Sequence, residues 1–354
     1  MNAVHVVLPG GVDDPATPSG GNVYDRRVCR GLVALGVAVH EVAVPGAWPS
    51  PDTAARAELA GALAAIADGS VVLLDGLVAC GVPEVVVPHA GRLRLVVLVH
   101  LPLADETGLS PELASALDAA ERQTLRAARA VVTTSPWATR RLVEHHGLTA
   151  VHTVTPGTDP APTAPGTEAG TRLLCVASVT PRKGHDLLVE ALAAVADLPW
   201  TCVCVGPLGD PGYVEDLRLL IERHHLADRV TLDGPRSGGS LDRAYASADL
   251  LVLASRAETY GMVVAEALAR GIPVLATAVS GVPDTLGQAP AGGTPGLLVP
   301  PGDTDALAAA LRRWLADPDL RRDLRRSARA RGEALRSWDD CAQDLAGVLA
   351  RLGG

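Results

Sequence analysis

Two glutamates eight positions apart, Glu258 and Glu266, bound the segment Glu-Thr-Tyr-Gly-Met-Val-Val-Ala-Glu. An apolar run at 250–254 leads through a polar loop into a helical pattern at 262–270. The first amides of such a helix have no intrahelical partner and lie at the positive end of its dipole. The backbone of Tyr260, Gly261, Met262 and Val263 is therefore suited to hold a phosphate, and Gly261 lets a ligand approach closely. At 1.5 Å per helical residue the two carboxylates stand up to ~12 Å apart. That is too far for a dyad sharing one proton, and it suits contacts to two parts of an extended ligand. Taken alone, the pair reads more readily as Glu258 capping the helix and Glu266 on its solvated face. Val263, Val264, Ala267 and Leu268 around Glu266 argue against an ordinary charged surface helix.

A second cluster is Ser178-Val179-Thr180-Pro181-Arg182-Lys183-Gly184, between an apolar run at 172–177 and a helical pattern at 185–196. Arg182 and Lys183 can neutralise phosphates there, or they form a solvated charge pair. Lys183 is the only lysine among 31 basic residues. Its compact charge differs from the planar guanidinium used everywhere else, which favours a functional role. A third cluster, Ser19-Gly20-Gly21-Asn22, opens a helical pattern at 22–35; Asn22 reads as its N-cap, and the glycines leave room for a ligand. A fourth candidate is His100, at the end of the run 93–100. The pairs His145-His146 and His224-His225 lack i, i+4 metal spacing and are assigned nothing. Asp317-Pro318-Asp319 reads as a helix break and not as a metal motif.

These residues need elements to carry them. Valine-rich runs at 4–8, 37–44, 71–75, 93–100, 130–134 and 151–155 read as strands buried on both faces, the mark of a parallel sheet covered by helices. Helical patterns at 22–35, 53–67, 111–128 and 137–145 alternate with them. Residues 156–171, rich in Pro, Gly, Thr and Ala, read as an interdomain linker. The alternation then repeats, with strands at 172–177, 201–206, 230–233, 250–254, 273–276 and 297–299. Helices are expected at 185–196, 213–225, 241–248, 262–270 and 304–317, followed by a helical tail broken between Gly332 and Trp338. The fold class is α/β: two doubly wound, Rossmann-like parallel-sheet domains facing a cleft, where the carboxyl ends of such strands bind ligands.

Composition narrows the classes. A net charge of −9 supplies no basic excess for nucleic acid. No run approaches the roughly 18 apolar residues of a membrane span, and the first residues lack a signal-peptide pattern. Six scattered cysteines fit neither a disulfide framework nor a zinc spacing. The expectation is a reduced, cytoplasmic protein from a GC-rich genome. Arg26, Arg27, Arg30, Arg140 and Arg141 put positive charge on N-terminal helices. Residues 1–160 nevertheless hold 11 arginines against 16 acids, so these read as solvated faces or acceptor contacts, and membrane attachment is not favoured.

Taken together, the Glu258-x7-Glu266 segment, Pro-Arg-Lys-Gly and the later Gly281-Val282-Pro283 resemble the retaining GT-B glycosyltransferases of family four. The resemblance extends over nearly the whole chain. It implies an acceptor-binding domain at 1–160, a nucleotide-sugar-binding domain at 161–336, and a last helix at 337–354 crossing back onto the first. By position it implies that Lys183, with Arg182, binds the donor diphosphate, and that Glu266 binds the ribose. Glu258 and the amides of Tyr260, Gly261, Met262 and Val263 would contact the transferred sugar or phosphate. His100 would lie near the C6 hydroxyl, Gly21 near the distal phosphate and Gly234 near the base. Gly20 and Asn22 would face the acceptor. Glu258, His100 and Lys183 would carry the catalysis, with no metal and no cofactor beyond the co-substrate. The partners would be a nucleotide-diphosphate sugar and a hydroxylated small molecule or lipid. Two departures stand out: Ala177-Ser178 where the family has Gly-Arg, and Asp284 where glutamate is usual. Rival readings are a phosphorylase or sugar-nucleotide epimerase on this architecture, and a two-lobed sugar-binding protein without catalysis.

Overall fold

The computed structural model describes residues 3–14 and 19–353. It divides into two compact units, one of residues 1–157 with 336–354 and the other of residues 158–335.

In the first unit, the strands are β1 (Ala3–Pro9), β2 (Ala38–Val44), β3 (Val71–Asp75), β4 (Arg94–Val99), β5 (Ala130–Thr133) and β6 (Val151–Thr153). All pair in parallel, in the order β2-β1-β3-β4-β5-β6. Strands β3 and β5 are buried throughout and β4 from Leu95 onward, as their largely apolar runs predict. The covering helices are α1 (Gly20–Ala34), α2 (Thr53–Ala65), α3 (Gly76–Ala79), α4 (Pro83–Val86), α5 (Pro111–Ala127) and α6 (Pro136–His146). Helices α3 and α4 have four residues each, too short for a periodic signal in the sequence.

The second unit repeats the plan with β7 (Arg172–Val176), β8 (Thr201–Val205), β9 (Val230–Leu232), β10 (Leu250–Leu253), β11 (Val274–Thr277) and β12 (Gly296–Val299). The order is β12-β11-β10-β7-β8-β9, again parallel. Its helices are α7 (His185–Ala193), α8 (Pro211–Arg223), α9 (Gly238–Ala246), α10 (Met262–Ala269), α11 (Val282–Leu286), α12 (Thr304–Ala316) and α13 (Pro318–Gly332). Two of these start earlier than the apolar spacing suggests. Asp210 caps α8 with Pro211 in the first turn, and Ser237 with Ser240 makes a capping box for α9.

The stretch expected to be a linker is, from Thr158 onward, bound to the second unit. Ala164 N–H donates to the Arg270 carbonyl at 2.8 Å. The buried Asp249 carboxylate accepts from the Thr167 amide and hydroxyl, the Arg172 amide and the Arg325 guanidinium. Low apolar content does not make a chain free when one buried carboxylate collects its polar groups. The last helix, α14 (Trp338–Leu352), returns to the first unit against α1. A Cβ on Gly31 would lie 2.4 Å from Ala342 Cβ, so glycine is what permits this helix contact. Among the described residues no helix is long and apolar enough to cross a membrane.

Candidate functional site

In each sheet the strand order reverses once, and loops diverge there to leave a crevice at the carboxyl ends. In the second unit the reversal lies between β7 and β10, which are hydrogen-bonded neighbours although far apart in sequence. The Lys183 loop leaves β7 and the Glu258 loop leaves β10, so the sheet brings the two candidate loops together.

Gly184 seals the arrangement. Its φ is +66°, and a Cβ there would lie 2.1 Å from the Ala254 carbonyl oxygen. Only glycine passes that close at that conformation. The Arg256 amide donates to the Arg182 carbonyl at 2.8 Å. The Arg256 guanidinium donates to the Pro181 carbonyl (2.7 Å) and to both oxygens of Asp186 (2.9 and 2.6 Å). Tyr213 adds its hydroxyl to Asp186 at 2.6 Å. Burial opposes charge on Asp186, but Arg256 and Tyr213 hold its carboxyl below the usual range.

Within this frame the Lys183 ammonium is ion-paired with Glu258. The two side chains are 15% and 13% exposed, so each is the other's main partner and not a solvated surface group. Gly281 N–H donates to the Glu258 carbonyl at 3.0 Å, and Thr285 Oγ1 to the Tyr260 carbonyl at 2.6 Å. These bonds draw the Gly281-Val282-Pro283 segment against the loop. Gly261, at φ +82°, is the N-cap of α10, and among the described residues no side chain caps that helix. The amides of Met262 and Val263 thus begin an apolar helix without a competing side-chain oxygen. Glu258 does not cap it, since it is engaged with Lys183.

Glu266 has a separate environment on α10. Its Oε2 accepts from the Tyr245 hydroxyl at 2.7 Å. Arg270 lies over the Tyr245 ring, 4.5 Å from its centroid, and also donates to the Glu266 carbonyl. Burial pushes the Glu266 carboxyl up, while Tyr245 and Arg270 pull it back towards the charged form. The glutamates therefore have different partners and form no dyad. Arg182 donates to the Ala257 carbonyl at 3.4 Å, and Ser178 lies by Gly206 at the end of β8. Gly234, at φ +69° with no atom within 4 Å of a notional Cβ, follows β9 on the same edge.

In the first unit the reversal lies between β1 and β3. Helix α1 follows β1 and begins at Gly20, with Ser19 as N-cap: Ser19 Oγ accepts from the Asn22 amide at 3.0 Å. The expected cap, Asn22, is instead the third helical residue. Serine three positions earlier takes the role because its short hydroxyl reaches that amide. The Asn22 side chain borders an open groove of about 320 Å³, together with Asp13, Asp14, Arg26, Arg27 and Arg30. Gly21 faces His100: a Cβ there would come within 3.2 Å of the imidazole.

His100 has two partners that sequence reading did not single out. Its Nε2 lies 2.9 Å from Asp25 Oδ1 on α1 and 3.9 Å from Asp75 Oδ2 at the end of β3. Asp25 is 0% exposed in its side chain and Asp75 4%. Burial works against a charged imidazole, but Asp25 first and Asp75 second outweigh it and raise His100 to about 9. Burial and the Asp25 charge raise Asp75 to about 7. The available signal for Asp75 was a carboxylate closing an otherwise apolar run, Val71–Asp75. Asp25 carried no signal, being one of several polar residues on α1. His145 and His146, which lack metal-ligand spacing, pair with Asp118 and Glu121 and tie α6 to α5.

Residues 165–331 match the family described as Glycosyl transferases group 1. Over 222 residues the chain is 30% identical to a D-inositol 3-phosphate glycosyltransferase of Jonesia denitrificans, covering 57% of this chain and 51% of that one. It is 32% identical over 181 residues to an alpha-D-kanosaminyltransferase of Streptomyces kanamyceticus, covering 51% and 46%. The chain thus spans about half the length of these curated relatives. In fold it is similar to a sucrose-phosphate synthase of Thermosynechococcus elongatus, with a TM-score of 0.82 at 24% identity over 99% of both chains. The match falls on the unit that holds Lys183, Glu258 and Glu266: residues 165–331 are similar to the glycosyl transferases group 1 family, in a chain whose fold is of the GT-B type.

Proposed function

We propose that this protein is a glycosyltransferase that moves a sugar from a nucleotide-diphosphate donor to an acceptor hydroxyl, with retention of configuration at the sugar carbon. The observation that carries the reading is the meeting of Lys183 and Glu258 beside the uncapped start of α10, at the reversal point of the second sheet. In transfer, negative charge builds on the leaving diphosphate. Lys183 and the amides of Met262 and Val263 offer preorganised positive charge to it, usually a large contribution to such a step. Glu266, separately oriented by Tyr245, suits a ribose diol, whose hydroxyls donate to a carboxylate. Glu258 suits the hydroxyls of the transferred sugar, His100 its C6 substituent, and the groove beside Asn22 the acceptor. No metal or cofactor is called for in this scheme, because cationic and amide groups stabilise the leaving group. The relatives support this class of chemistry: they include the two transferases named above, and a structural neighbour, the Anabaena protein HepE, was solved with UDP-glucose.

The test begins with thermal shifts against UDP, GDP, ADP and dTDP, since a ligand of the native state raises the midpoint. Transfer from the matching glucose donor is then followed with inositol phosphate and other polyols as acceptors. Lys183→Ala should lower turnover about 10²- to 10³-fold, the usual cost of one such stabilising group. Turnover near wild type in a folded Lys183→Ala protein refutes the assignment. Phosphate-dependent cleavage, or conversion of the donor alone, would favour the phosphorylase or epimerase reading.

A further inference from the structure

In the first unit two buried carboxylates converge on one imidazole. Asp25 and Asp75, both nearly inaccessible to solvent, converge on the same nitrogen of His100. Among the described residues, the titratable groups facing the ring are Asp25 and Tyr24 from α1 and Asp75 from β3. Tyr24 stands edge-on at 5.3 Å with its hydroxyl committed to the Val154 carbonyl, so it neutralises nothing. Asp75 Oδ1 accepts from the Leu77 amide at 2.6 Å, while Asp25 Oδ2 is buried and, among the described residues, receives no N–H or hydroxyl donor; Asp75 is the group that shares a side-chain hydrogen bond with Asp25. The raised Asp75 takes up part of the charge that the two carboxylates share; the remaining buried charge is stabilised by a nearby positive group, and His100 is the group placed to supply it.

Geometry also decides which ring edge a ligand can reach. Gly21 covers the Cγ, Cδ2 and Nε2 side of the imidazole at 3.2–3.6 Å from its notional Cβ. The Nε2 atom is held by Asp25, which leaves the Nδ1 edge for contact. One carboxylate on Nε2 is the arrangement that lets the other nitrogen act as a base. A second buried carboxylate stabilises the imidazolium further and keeps that nitrogen occupied.

We propose that Asp25 and Asp75 are positioning residues that keep both nitrogens of His100 protonated, so that the ring meets its ligand as a fixed, positively charged N–H donor and not as a proton acceptor. This rests on the glycosyl-transfer reading for the identity of the ligand, but not for the state of the ring. The ligand atom opposite Nδ1 is then an oxygen that accepts, such as a sugar hydroxyl or an anionic oxygen. The proton of the acceptor hydroxyl must leave by another route, which a leaving phosphate oxygen provides.

The experiment uses the whole chain with ¹⁵N-labelled histidine, the His100 resonances being identified by their loss in His100→Gln. Both ring nitrogens should report protonation at pH 7, with a midpoint near 9. Asp25→Asn should lower that midpoint by more than one pH unit. Asp75→Asn, farther from Nε2, should lower it less and serves if Asp25→Asn does not fold. In the same proteins the alkaline limb of the kcat/KM profile for the preferred nucleotide sugar should move with the ring, and Asp25→Glu should restore part of the shift. A ring neutral at pH 7, or midpoints unchanged in both variants, overturns the assignment. A ring that shifts while the alkaline limb stays fixed overturns its role in the reaction. Absence of transfer from every donor would sink the glycosyl-transfer reading, while the ring titration still decides the charge.

Discussion

The Lys183–Glu258 pair makes the proposed donor site compete with itself. Glu258 holds the ammonium that the proposed mechanism assigns to the diphosphate. A diphosphate must therefore displace Glu258, or share the ammonium with it, before the carboxylate can turn to the sugar. Glu258→Gln keeps the shape and removes the charge. The free ammonium should then bind a nucleoside diphosphate more tightly, even as turnover of the sugar donor falls. The pair is neither exposed nor fully buried, so its worth lies above the ≤1 kcal/mol of a surface pair and below the 3–5 kcal/mol seen on breaking a buried one. Part of the gain is returned as water re-solvates the ammonium. A net of about 1–2 kcal/mol corresponds to roughly 5- to 30-fold tighter binding. Calorimetric titration of UDP, or of whichever diphosphate gives the largest thermal shift, measures it at fixed ionic strength. The same titration of Lys183→Ala and of the double variant closes a cycle, and the gain should vanish without Lys183. Weaker diphosphate binding by Glu258→Gln, or an equal gain in the Lys183→Ala background, would refute the competition.

Three further outcomes are expected. Tyr245→Phe removes the hydroxyl donated to Glu266 at 2.7 Å; the Glu266 carboxyl should rise further, and KM for the donor should increase several-fold with kcat little changed, more so as pH falls. An unaltered KM with intact folding would show that Tyr245 does not orient Glu266. Gly184→Ala puts a Cβ 2.1 Å from a backbone oxygen at positive φ and should cost about 2–4 kcal/mol, lowering the thermal midpoint by roughly 2–4 °C per kcal/mol; an unchanged midpoint would contradict the close passage of the loops. The pH dependence follows from His100 and Asp75, whose folded values are both raised, to about 9 and about 7. Stability from His100 is complete below its unfolded value near 6.5 and is lost as pH rises through about 9. That from Asp75 is complete below its unfolded value and is lost as pH rises through about 7. Denaturant unfolding between pH 6 and 10 should thus show falling stability, and a slope unchanged in Asp25→Asn would count against the cluster.

Most of the architecture was legible because buried parallel strands must be apolar on both faces. Runs such as 71–75 and 250–254 state this directly, and capped, periodic segments reveal the longer helices. The short helices α3, α4 and α11 were not legible, since four or five residues do not complete an apolar stripe. The start of α1 was misplaced because Ser19 and Asn22 are both good cap residues, and only the backbone shows which oxygen meets which amide. The stretch after Pro156 looked like free linker because its attachment is polar and depends on Asp249, some eighty residues away.

By itself, the sequence determined the inventory: one lysine in a glycine-bounded loop, two glutamates eight positions apart, a histidine at a strand end, and valine-rich strands to carry them. What these groups touch was decided only by the tertiary structure. Lys183 and Glu258 lie 75 positions apart, as do Asp25 and His100. Their meeting depends on which strands become neighbours where each sheet reverses, and that follows from the packing of the whole unit, not from any local pattern. Local sequence sets φ, ψ, capping and the buried face; strand order sets the neighbours, and hence the charges that each candidate residue experiences.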